Sequence, residues 1–156
     1  MTPIGSAHLA AVLALNNAHA TELSLLDAGQ LRALIDQAFF CAVLPPADAF
    51  LIALDQTATY ASPNFAWHHA RHAHFVYVDR LAVAPAARGR GLARQLYAGL
   101  FAAAAASGHT RVLCEVNRDP PNAASDALHT ALGFVPVGEA TIHGGAKTVR
   151  YLSVTL

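Results

Sequence analysis

At 156 residues the chain has the length of one ordinary domain, 1–156, with room for a packed core and too little for two independent ones. Hydrophobic residues make up 54% and charged residues 13%, which excludes a disordered chain and leaves apolar surface compatible with a homodimer. Ten Lys and Arg balance ten Asp and Glu, so no net field draws nucleic acid or an anionic membrane, and any anion site must be built from local charge.

Leu9, Val12 and Leu13 repeat at helical spacing within Ser6 to Leu15, and Leu31, Leu34, Ile35 and Phe39 do so within Asp27 to Phe39, predicting two opening helices. Met1 to Ala14 lacks the basic start and cleavage pattern of a signal peptide. The longest apolar run, Ala38 to Leu44, stops at Pro45-Pro46, far short of a membrane span, and a cytoplasmic protein is the expectation. Phe40 to Leu44 and Phe50 to Leu54 predict an antiparallel strand pair. Cys41 and Cys114 fall in apolar runs and read as reduced core thiols.

Asp55 to His74 has no clean period and contains Ser62-Pro63-Asn64, which predicts a long surface loop. Phe75 to Val83 is the strongest strand signal. Gly91 to Ala106 carries Leu92, Leu96 and Leu100 on one helical face. Arg111 to Val116 predicts a strand, Asn122 to Leu132 a helix stopped by Gly133, and Val135 to Leu156 an antiparallel pair turning at Gly144-Gly145. The order of elements predicts a mixed α+β fold with no repeat and no linker.

The chemistry gathers where the strand ending at Val83 runs into Arg88-Gly89-Arg90-Gly91-Leu92-Ala93 and a helix begins. Unpaired N–H groups at a helix N-terminus bind pyrophosphate, glycines let the backbone come close, and Arg88, Arg90 and Arg94 add charged donors. The spacing fits neither a P-loop, which ends in Gly-Lys-Ser/Thr, nor the dinucleotide fingerprint, which has a third glycine. A basic turn capping a helix is the plain alternative.

The run Val78-Asp79-Arg80-Leu81-Ala82-Val83-Ala84-Pro85-Ala86-Ala87-Arg88-Gly89-Arg90-Gly91-Leu92-Ala93 resembles the signature of the Gcn5-related N-acetyltransferase (GNAT) superfamily, Gln/Arg-x-x-Gly-x-Gly/Ala, matched by Arg88, Gly91 and Ala93. Asn122, Leu128-His129 and Leu132-Gly133-Phe134 are similar to a later family segment, except that His129 stands where the family has tyrosine. The resemblance implies a mixed, mostly antiparallel sheet splayed between its fourth and fifth strands and flanked by helices. It implies acetyl-CoA as cosubstrate, no metal, and an amine acceptor. It places pantetheine along Leu81, Ala82 and Val83, pyrophosphate on Arg88 to Ala93, and Asn122 and Ser125 near the pantetheine arm.

Acetyl transfer to an amine needs a neutral amine, donors for the developing oxyanion and a proton for the departing sulfur. A backbone N–H near Leu81 to Val83 is the expected oxyanion donor. The resemblance, through a glutamate in a similar Leu-Glu-Val context, makes Glu115 in Cys114-Glu115-Val116 the first candidate base, with Asp79 and Tyr77 as competitors; Glu115 paired with an arginine is an equal alternative. His129 either donates a proton as imidazolium, holds a water, or only contacts the cofactor. Trp67 and His68, His69, His72 and His74 suggest a surface loop or an acceptor-site wall, whereas a metal site through His68 and His72 lacks a local carboxylate or thiol. Glu22 follows the first helix in a polar segment that the resemblance places over the acceptor pocket, where it would meet an ammonium group; an exposed loop charge or helix-start residue is the alternative. The function implied is N-acetylation of a small-molecule amine or a protein N-terminus; an acyl-CoA sensor with little turnover is the alternative that His129 motivates.

Overall fold

The computed structural model describes residues 1–156. Seven strands form one sheet in the order β1-β2-β3-β4-β5-β7-β6, comprising β1 (Thr2–Pro3), β2 (Phe40–Leu44), β3 (Ala49–Asp55), β4 (Val76–Val83), β5 (Arg111–Asp119), β6 (Val135–Ile142) and β7 (Lys147–Thr155). Every pairing is antiparallel except β4 with β5. No helix is long and apolar enough to cross a membrane.

Strand alternation sorts the core into two layers. Ala49, Leu51 and Ala53 of β3 face α5 (Leu92–Ala106), whose Leu96, Tyr97, Leu100 and Ala104 are fully buried against them. Phe50 and Ile52 face the opposite way, onto Val12 and Leu15 of α1 (Leu9–Ala18) and Leu31 of α3 (Ala28–Asp36). Leu54, Tyr77 and Leu113 continue that second layer beneath Leu34 and Phe65. A short helix, α2 (Ala20–Leu23), joins α1 to the α3 entry. Asp27 caps α3, accepting from Gln30 N at 2.8 Å while Gln30 Oε1 accepts from Asp27 N at 2.9 Å.

The alternation breaks once in β4. Ile52 pairs with Arg80 and Ala53 with Val78, so Asp79 is an extra residue with no partner. One inserted residue moves everything beyond it to the other face. Val78 packs on the α5 side, whereas Ala82 packs on the α1 side.

Several sequence expectations shift. The stretch expected to be a loop from Asp55 to His74 contains α4 (Pro63–His69): Ser62 is its N-cap, with Oγ accepting from Phe65 N at 3.4 Å, and Pro63 opens the first turn. The first helix starts at Leu9 after a tight turn at Ser6–His8 and runs to Ala18; α3 ends at Asp36, before Phe39. β5 extends past Val116 to Asp119, and α6 covers Ala123–Ala131 with Asn122 as its cap.

Candidate functional site

β4 and β5 meet only at Val76 with Val112 and Tyr77 with Leu113, after which β4 stays with β3 and β5 with β7. The strands therefore part as a wedge. A cavity of about 260 Å³ fills it, lined by Val78 to Leu81 on one strand and Cys114 to Asn117 on the other. A second, of about 450 Å³, runs from Leu81, Ala82 and Val83 to the start of α5 and the flank of α6. Both are lined by Glu22, Leu23, Leu81, Asn122 and Ser125, so those residues mark where the two adjoin.

Glu115 stands in the wedge between the buried, α5-facing Cys114 and Val116. Its Oε1 accepts from Tyr77 Oη at 3.1 Å and from Asn64 Nδ2 at 2.9 Å, and Asn64 Oδ1 accepts from Tyr151 Oη at 3.0 Å. Its Oε2 is buried with no protein partner, and no arginine pairs with it. Burial, seconded by the negative charge of Asp79, pushes its carboxyl up to about 8 against the pull of the Tyr77 and Asn64 hydrogen bonds. Tyr77 is fully buried outside the cavity lining and acts on the cavity only through Glu115.

Asp79, the bulged residue, lines the same wedge, and Arg80 Nε lies 3.0 Å from its Oδ2, both side chains almost wholly buried. Burial raises the Asp79 carboxyl, and Arg80 and Tyr60 oppose the rise. Arg80, turned to the α1 side by the bulge, gives Nη1 to Asn16 Oδ1 at 2.9 Å, Leu23 O at 2.6 Å and Ser24 O at 3.2 Å. One guanidinium thus holds the Leu23-Ser24 edge of the cavity. Ser24 adopts φ 67°, a strained conformation for a residue with a Cβ.

Lys147 Nζ reaches Glu22 O at 3.1 Å and Thr21 O at 3.5 Å, tying the hairpin to α2 beside the cavity. Burial lowers this ammonium, with Glu115 and Glu22 pulling the other way. Glu22 lines both cavities; its side chain is exposed and makes no hydrogen bond.

The loop before α5 has the conformation its glycines permit: Gly89 at φ 77° and Gly91 at φ 74° are left-handed, and Gly91 is the residue before the helix. Leu92 and Ala93 supply the first helical N–H groups, which have no partner inside the helix. Arg88, Gly89, Gly91, Leu92, Ala93 and Arg94 all line the second cavity. Arg90 does not; it turns outward to Asp48 Oδ2 at 2.7 Å. Arg88 Nη2 lies 3.2 Å from His19 Nε2, and His19 Nδ1 lies 3.0 Å from the Leu15 carbonyl. A carbonyl only accepts, so Nδ1 carries the proton and Nε2 accepts from Arg88.

His129 is 4% exposed, at the first cavity's inner wall. Its Nδ1 is 2.7 Å from Ser125 O and 3.2 Å from Ser125 Oγ, and its Nε2 is 2.7 Å from Tyr97 Oη. Both ring nitrogens are engaged, and burial lowers the imidazolium below its ordinary range.

Trp67 lies away from both cavities, stacked on Tyr151 with ring centroids 4.1 Å apart and covered by Arg71 at 3.9 Å. His68 is fully buried beneath Tyr151 and Tyr77, its ring pushed down to about 4 by desolvation. No group of three or more His, Cys, Asp or Glu side chains is arranged to hold a metal. Sequence reasoning missed Asn64, Tyr60, Tyr97, His19 and Lys147 at the site. Only Asn64 carried a local signal, the Ser62-Pro63 helix start that fixes its position.

The model of the acetyltransferase (GNAT) family matches residues 26–134. No curated protein matches the sequence. Among solved structures, the chain is similar to one of the NatC complex bound to Gag peptide and CoA, with TM-score 0.75, 16% identity, and 99% of this chain and 96% of that chain covered. A ribosomal-protein-alanine N-acetyltransferase from Brucella melitensis gives 0.71 and 21%, covering 99% and 98%. The yncA structure from Salmonella typhimurium, solved with its cofactor acetyl-CoA, gives 0.70 and 20%, covering 99% and 91%.

Proposed function

The chain belongs to the acetyltransferase (GNAT) family, and from that premise we propose that it moves an acetyl group from acetyl-CoA to an α-amine, that of a protein N-terminus or of a small molecule. The observation that carries this reading is Glu115, a carboxyl raised to about 8 in a cavity that adjoins the glycine-loop cavity at Leu81, Asn122 and Ser125.

The residues fit acetyl-CoA. Left-handed Gly89 and Gly91 and the α5 N-terminus offer amides to a pyrophosphate, with Arg88 and Arg94 beside them. Beyond Tyr77, the β5-facing edge of β4 has no strand partner, so Leu81, Ala82 and Val83 can pair with amide groups laid along it. Arg90 supports this loop from outside through Asp48. Asn122 and Ser125 flank the point where the thioester would reach the wedge. When bound, acetyl-CoA supplies an activated acetyl group: the amine nitrogen bonds to its carbonyl carbon, the C–S bond breaks, and sulfur leaves with the electron pair.

Glu115 takes the amine's proton. Moving a proton from an ammonium to a carboxylate costs about 1.4 kcal/mol for each unit by which the ammonium pKa exceeds that of the carboxyl, and an α-ammonium titrates near 7.7–8.0 against about 10.4 for a lysine side chain. A carboxyl at about 8 takes the first proton at little cost and the second at a cost of about 3 kcal/mol, which favours the α-amine. Asp79 raises Glu115 and is itself held by Arg80, which casts it as the charge that tunes the base. An N–H from Leu81 to Val83 serves as oxyanion donor. Glu22, free and shared by both cavities, is the group available to draw in a cationic acceptor. The neighbours that carry a peptide or act on a ribosomal-protein alanine support an α-amine acceptor.

The test is thiol release from acetyl-CoA with a panel of free amino acids, short peptides with free N-termini, and N-blocked peptides bearing only lysine. Turnover with α-amines alone is expected. CoA binding without thiol release on any amine would replace this reading with a sensor.

A further inference from the structure

The hydrogen bonds around His129 leave Ser125 with an uncommitted hydroxyl proton where it lines both cavities. Ser125 O is a carbonyl and can only accept, so the 2.7 Å contact requires a proton on His129 Nδ1. The same N–H is 3.2 Å from Ser125 Oγ, which therefore accepts as well, in a three-centre bond. His129 Nε2 holds the lone pair and accepts from Tyr97 Oη at 2.7 Å. Every group in this chain thus has a fixed direction: the Tyr97 hydroxyl gives to His129, and His129 gives to Ser125.

The chain ends on one uncommitted proton. Ser125 Oγ makes no other hydrogen bond to protein, so its own O–H is free. Tyr97 is fully buried and both His129 nitrogens are engaged, whereas Ser125 is only half-buried and lines both cavities. A serine within a helix can turn its hydroxyl back to the carbonyl a turn earlier. Here the N–H from His129 occupies a lone pair of Oγ, which biases the O–H away from its own helix and toward the junction.

We propose that Ser125 donates a hydrogen bond to the sulfur as the C–S bond breaks, with His129 as the positioning residue that aims it and Tyr97 as the anchor of His129. Ser125 keeps its proton. The proton lost by the amine is taken up at Glu115, and the thiol is completed by exchange with solvent. The proposal rests on the cofactor reading above, and its test separates the two.

The decisive measurement is the titration of the thiol of bound CoA, followed by ultraviolet absorbance of the thiolate, together with the CoA Kd across pH. A hydrogen bond to an anionic sulfur should lower the bound thiol's pKa by about one to two units and tighten CoA in the alkaline range. Ser125→Ala should return the titration to that of free CoA and lower kcat about ten- to a hundredfold with little change in KM for acetyl-CoA. Ser125→Thr keeps the hydroxyl and should restore most of both. His129→Phe should lose part of the thiol shift while the neutral-pH Kd holds. An unshifted thiol in the wild type, or an Ser125→Ala variant with wild-type titration and kcat, overturns the proposal while CoA binding leaves the cofactor reading standing. No CoA binding at all overturns the cofactor reading first.

Discussion

Tyr77 donates its hydroxyl hydrogen bond to Glu115 Oε1 over 3.1 Å, from the last residue of β4 that still pairs with β5. The bond spans the strands at the root of the wedge. A carboxylate accepts this bond better than a carboxyl does, so Tyr77 restrains a rise that burial drives.

Glu115→Gln should remove the ascending limb of the pH profile. With Glu115 as base, wild-type kcat, read at saturating amine so that ionisation of the free amine near 7.7–8.0 does not enter, rises with pH through about 8, where the carboxyl ionises. The variant should show a flat profile over that range and a loss of about 100-fold or more at its top. Steady-state rates between mildly acidic and alkaline pH check this, and an ascending limb kept in the variant assigns the base elsewhere.

The same substitution predicts a change in stability with pH. Glu115 is raised from an ordinary carboxyl value of about 4.3 in the unfolded chain to about 8 in the fold, so the folded state binds the extra proton between these limits. Its contribution is complete below the unfolded value and is lost as pH rises through about 8. Glu115→Gln should therefore gain on the wild type as pH increases across this window and level off above it. Denaturant melts of both proteins at several pH values read the gap directly; a constant gap excludes the raised carboxyl.

Arg80→Met should cost about 3–5 kcal/mol, the usual consequence of leaving a buried charge without its partner, here Asp79. It also releases Asn16, Leu23 and Ser24 at once. Both effects appear in a thermal melt, and Arg80→Met with Asp79→Asn should recover part of the loss. A double variant no more stable than the single one would show that the hydrogen bonds, and not the ion pair, dominate.

Arg88→Ala should weaken CoA roughly tenfold at low salt and reduce the dependence of affinity on ionic strength, because one charged donor is lost from the phosphate end. Arg90→Ala should change CoA affinity less, since Arg90 is spent on Asp48 outside the cavity. Calorimetric titrations at two salt concentrations compare them; equal losses would place both arginines on the phosphates.

Much of this arrangement is legible in the sequence because it rests on local rules. The strand ending at Val83, the glycines at 89 and 91 and the leucine spacing of α5 each declare themselves within a few residues. Glu115 is legible too, since Cys114 and Val116 must face the core and it cannot. What escapes is long-range. Arg80 reads as a strand residue like its neighbours, and only the bulge at Asp79 sends it to Asn16, 64 positions away. Tyr97 reads as core packing on α5, because its hydroxyl partner comes from another helix. Trp67 beside four histidines reads as a site, yet its ring is taken up by Tyr151 and Arg71. Asn64 sits in a Ser-Pro-Asn run that suggests a turn as readily as a helix start.

The two-pair seam between β4 and β5 also bears on how the protein keeps to itself. An unpaired strand edge on the outside of a sheet invites a strand from another chain and, with it, aggregation. This one lies inside the sheet, at the floor of a cleft flanked by α2, α6 and the hairpin tip, where another molecule's strand must thread end-on before it can pair. A slender arm of amide groups can enter this way, end-on, and pair with the edge. The recess thereby keeps this inner edge from side-on pairing with another chain.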